Sequence, residues 1–110
     1  MSLPDNIRRV IESVRGAVGI APATERQAVM DFAAGAGGAT RAEVQLPDAL
    51  RGYVEKVTHD PYKVVERDLD ELVEAGYTED AVFEITVATA LGAAVGRMEK
   101  TLTLIEEDQP

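Results

Sequence analysis

The sequence predicts an all-α fold, and three observations carry that prediction. Apolar residues recur three and four apart in successive segments, helix start and stop signals separate those segments, and no run alternates with the two-residue period of a strand. With 110 residues, 45% of them hydrophobic and 28% charged, the chain has the composition of an ordinary globular domain with one core. A single compact domain over residues 1–110 is expected. Residues 5–45 would supply N-terminal helices and a glycine-rich joint, and residues 46–105 the main helical core.

Ile7, Val10, Ile11, Val14 and Val18 keep helical spacing after Pro4, a residue suited to a first turn, and Gly16 and Gly19 loosen the end of that segment. Over residues 22–34 the stripe is narrow, with only Ala28, Val29 and Phe32, and a short helix is expected. Gly35, Gly37 and Gly38 then interrupt it, because glycine adds freedom to the unfolded chain and brings no side chain to pack. A phosphate-binding loop is not expected there, since no apolar strand precedes the glycines and no Lys-Ser/Thr pair follows.

Leu46, Leu50, Tyr53, Val54 and Val57 form the next stripe, opened by Pro47 and stopped before Pro61, which disfavours helical geometry at Asp60. Val65, Leu69, Leu72 and Val73 follow at the same period and end at Gly76, the usual C-terminal stop. Thr78 can cap a long helix over 78–104. Glu79, Asp80 and Glu84 lie near its positive end and Arg97 and Lys100 toward its negative end. Residues 85–96 carry no charge, too few to span a membrane but enough to bury a helix on nearly all sides, so this small-residue-rich segment is the expected central helix. Within it Ala88, Gly92 and Gly96 stand four apart as a flat ridge. Each helical glycine costs about 1 kcal/mol relative to alanine, so a neighbouring helix or a second subunit must need the space.

The formal net charge is -9, and it is uneven. Residues 1–60 hold 7 Lys/Arg against 8 Asp/Glu, and residues 61–110 hold 4 against 12. No basic cluster exceeds Arg8-Arg9, so neither nucleic acid nor an anionic membrane is an expected partner. The absence of cysteine excludes disulfides, thiolate metal sites and a CxxC redox pair within the chain. With neither a signal-peptide pattern nor a run of about 18 apolar residues, a cytoplasmic protein without cofactor or metal is expected.

Side chains able to carry chemistry are few. His59, the one histidine, stands beside Asp60 at a helix end, where it and Glu55 could serve as acid/base groups. Glu66, Asp70 and Glu74 share a helix face that reads as a solvated acidic surface, or as a docking face for a basic partner. Tyr53, Tyr62 and Tyr77 could present hydroxyls to a pocket.

The run Tyr62-Lys63-Val64-Val65-Glu66-Arg67-Asp68-Leu69-Asp70-Glu71-Leu72-Val73-Glu74-Ala75-Gly76-Tyr77-Thr78-Glu79-Asp80-Ala81-Val82-Phe83-Glu84, continued by Ile85-Thr86-Val87-Ala88-Thr89-Ala90-Leu91-Gly92, resembles the alkylhydroperoxidase D-like (AhpD-like) and carboxymuconolactone decarboxylase family. It covers about a third of the chain. The resemblance implies a compact all-helical fold and homo-oligomers, here through the helix over 78–104. In redox-active members a CxxC pair precedes a histidine by four residues, and an Ala-Gly turn comes about eight later. Counted back from Gly76, Pro61 and Val64 occupy the cysteine positions and Asp68 that of the histidine. Thiol peroxidase activity is therefore not expected, because it needs an attacking and a resolving thiolate. The expected role is assembly or the binding of a small molecule; the alternative is a cofactor-free lyase using His59 and Glu55.

Overall fold

The computed structural model describes residues 23–108 together with Asp5, Asn6, Arg8 and Arg9, which are helical and exposed. The apolar stripe of Ile7, Val10, Ile11, Val14 and Val18 lies outside the described residues. Among them the fold is all-α: α1 (Ala23–Ala36), α2 (Asp48–His59), a 3-10 turn (Pro61–Lys63), α3 (Glu66–Glu74) and α4 (Glu79–Glu107).

Helix α1 packs most closely on α4. Val29, Met30, Ala33 and Ala34 are buried on it, with Ala28 and Phe32 partly covered. The Cβ position of Gly92 falls on the Met30 carbonyl and that of Gly96 on the Ala34 carbonyl, while the Gly38 Cβ position meets Lys100. Both members of these pairs advance by four residues at a time, so the two helices run parallel, backbone against backbone. The weak stripe of residues 22–34 thus belongs to a principal core helix. Its alanines add little hydrophobicity, yet they permit the approach that larger side chains would block.

The glycine-rich joint is an ordered cap. The Gly38 N–H donates to the Gly35 carbonyl and the Ala39 N–H to that of Ala34, with Gly38 at a φ of 118°. This is the paired Schellman pattern, which needs the left-handed backbone that glycine adopts at least cost. Helix α3 ends in the same way: Gly76 (φ 106°) bonds to Val73, and Tyr77 to Leu72.

Pro47 precedes α2, which buries Leu50, Tyr53, Val54 and Thr58. Helix α3 buries only Leu72; Leu69 and Val73, expected on its apolar face, remain 38% and 46% exposed. The Thr78 hydroxyl accepts from the Ala81 N–H at 3.1 Å and starts α4. Ala81, Val82, Ile85, Ala88, Thr89, Gly92, Ala93, Val95 and Gly96 are its buried residues. Contrary to the expectation of burial on nearly all sides, its opposite face is bare. By length and composition α4 could also cross a bilayer, a capacity the uncharged run of residues 85–96 had not suggested. Half of its most apolar window is buried inside the chain.

Candidate functional site

The side chains singled out by their chemistry do not converge. His59 ends α2, and Glu55 lies one turn earlier on the same face; both are exposed. Tyr53 is 7% exposed, and its hydroxyl lies 2.6 Å from Thr86 Oγ1. The Thr86 hydroxyl donates to the Val82 carbonyl, so the Tyr53 O–H is the donor of this pair and the ring is held in the core. Tyr62 is 78% exposed, with the Lys63 ammonium 5.8 Å from its ring centre. Tyr53 therefore points inward and Tyr62 outward. Tyr77 is half-buried; desolvation raises its pKa, and the Glu25 carboxylate raises it further.

Pro61 opens the 3-10 turn and Val64 ends it. Asp68 holds α3 in place: its carboxylate accepts from the Val65 N–H and from Lys56 Nζ on α2, both at 2.9 Å. These bonds, the first above all, lower its pKa. Glu66, Asp70 and Glu74 are exposed, and among the described residues no group of three His, Cys, Asp or Glu side chains is arranged to hold a metal ion.

Among the described residues, concave regions lie on the flanks of the bundle. One of about 430 Å³ is lined in part by Phe32, Val44, Arg41 and Arg51. Arg41 is committed there to a two-pronged pair with Glu99, at 2.8 and 2.9 Å, which ties the segment before α2 to α4. Another, about 240 Å³ between α3 and α4, has an apolar floor of Leu69, Val73 and Val82 under the carboxylates of Glu66, Asp70 and Glu79.

Among the described residues, the outer face of α4 is an exposed apolar surface. Phe83, Val87, Ala90, Ala94, Met98, Thr101 and Ile105 are all exposed and follow one another at intervals of four or three, so they form one uncharged line. Phe83 is 69% exposed and Val87 39%. This line lies opposite the Gly92 and Gly96 edge that meets α1. The sequence carries it as a second helical spacing, masked by the uncharged run of residues 85–96, which predicts burial on nearly all sides. Arg26, buried on α1, carried no such signal.

No family model, curated protein or solved structure matches the chain.

Proposed function

We propose that this chain is a non-enzymatic helical interaction module that works by docking the outer face of α4 on a partner. One observation carries the reading: a continuous uncharged line from Phe83 to Ile105, exposed on a helix whose other side already forms the core. Contiguous apolar surface costs solubility, and on water-exposed proteins it marks interaction sites. The AhpD-like resemblance fits a scaffold kept without its redox chemistry, since the chain contains no cysteine. The lyase reading draws less support, because His59 and Glu55 stand in solvent rather than in a desolvated pocket.

The test is thermal unfolding of Val87→Asp and Phe83→Asp in dilute solution. If the line faces water in the single chain, each variant changes stability by about 0.5 kcal/mol or less. A much larger, concentration-independent loss would make the line part of this chain's own interior, and the docking reading would fail.

A further inference from the structure

We infer that the groove between α3 and α4 seats a basic amphipathic helix of another protein. This surface is distinct from the outer face of α4, since neither Phe83, Val87 nor Met98 lines it, and the inference does not depend on the docking reading above. It starts from α3, whose nine residues set Leu69 and Val73 four apart and Glu66 and Asp70 four apart. Leu72 takes the one buried place on this helix, which leaves Leu69 and Val73 open to solvent. With Val82 of α4 beneath them they floor a groove of about 240 Å³. Apolar side chains one turn apart form the kind of furrow into which the ridge of another helix packs.

Charge decides the occupant. The structure divides the acidic face of α3: Glu66 and Asp70 rim the groove, Glu79 joins them from α4, and Glu74 does not line it. The cations nearby are engaged with other groups, Lys56 with Asp68, Arg67 with Glu71, and Lys63 over the ring of Tyr62. Lys63 and Arg67 are the only basic residues among 61–84, against eight Asp and Glu. A purely apolar partner would strip water from the rim carboxylates and return nothing to them. A helix with Lys or Arg on both sides of an apolar stripe satisfies floor and rim together, because the long stems lie along apolar surface while the charged ends reach the carboxylates. The apolar end of this chain's own α4 is a poor occupant, since Leu104 and Ile105 are followed by Glu107 and Asp108, which would meet the rim as like charges.

The test titrates the full chain into a fluorescently labelled peptide of leucine and lysine, its leucines on one helical face, and reads anisotropy. Two further peptides serve as comparisons, one with the same residues in scrambled order and one with glutamate in place of lysine. The amphipathic basic peptide should bind more tightly than either, and its affinity should fall as salt is added. Asp70→Asn combined with Glu79→Gln should weaken it on the order of tenfold and flatten the salt dependence, and Val73→Ser should weaken it by a similar factor. All of these positions except the floor valine are exposed, and Val73 is 46% so, which lets the variants keep the fold; circular dichroism checks that they do. Val87→Ser, on the outer face of α4, should leave the affinity within about twofold. Equal binding of the scrambled peptide would reduce the effect to net charge and overturn the groove as a site. Loss of binding in Val87→Ser with none in Val73→Ser would move the helix to the outer face and overturn it too. So would the absence of binding by the basic peptide, whatever Val87→Asp does to thermal unfolding.

Discussion

Gly92 and Gly96 show how single atoms set the spacing of this bundle. A methyl group at either would overlap a carbonyl of α1, that of Met30 or that of Ala34. Backbone cannot rotate aside as a side chain can, so the helices must separate along their whole contact. Gly92→Ala should therefore cost about 2 kcal/mol or more in urea unfolding, despite the higher helix propensity of alanine. Gly52, in α2, has nothing within 4 Å of its Cβ position. There the same substitution should stabilise the protein by about 1 kcal/mol. Equal effects at the two positions would refute the close contact between α1 and α4. The buried hydroxyls follow a related economy: Thr58 bonds to the Val54 carbonyl and Thr89 to that of Ile85, so each satisfies itself within its own helix.

Helix α3 is held by less than its amphipathic sequence promises. Leu72 is its one buried side chain, and the Lys56–Asp68 bond fastens it to α2. Leu72→Ala should cost about 3 kcal/mol; Leu69→Ala, at a 38% exposed position, should cost far less in the monomer. The Asp68 carboxylate is held below the ordinary aspartate range by the Val65 N–H and Lys56. Because its pKa is lower folded than unfolded, the ionised side chain stabilises the fold above that range. This contribution disappears as pH falls through the range toward the folded value. Acid titration of stability should show the loss, and Asp68→Asn should flatten that part of the curve. An unchanged acid limb in the variant would show that other carboxylates govern it.

At the scale of the whole molecule, charge works against compactness. A net charge of -9, with 12 acidic against 4 basic residues in 61–110, leaves carboxylates crowded around α3 and the start of α4. The visible ion pairs are partly or fully solvated, and such pairs contribute about 0–1 kcal/mol each. Self-repulsion should outweigh them, so raising ionic strength at neutral pH should raise the melting temperature. A fall would mean that Arg41–Glu99 and Lys56–Asp68 stabilise more than the carboxylates oppose. The uncharged outer line of α4 crosses this acidic surface, and there association can bury apolar area with few charges to desolvate.

The sequence by itself determined the all-α class, the placement of α2, α3 and α4, the stop at Gly76 and the cap at Thr78. Those features depend on spacing, backbone propensity and hydrogen bonds between near neighbours. It also excluded cysteine-based redox chemistry, which composition alone decides. Only the tertiary structure decided which apolar face of α4 is covered, because two faces of one helix carry similar side chains and coverage depends on where α1 and α2 come to rest. The same reason turned Tyr53 inward and Tyr62 outward, and left His59 and Glu55 in solvent. The importance of α1 stayed hidden because its packing rests on small residues, whose value lies in what they let another backbone approach.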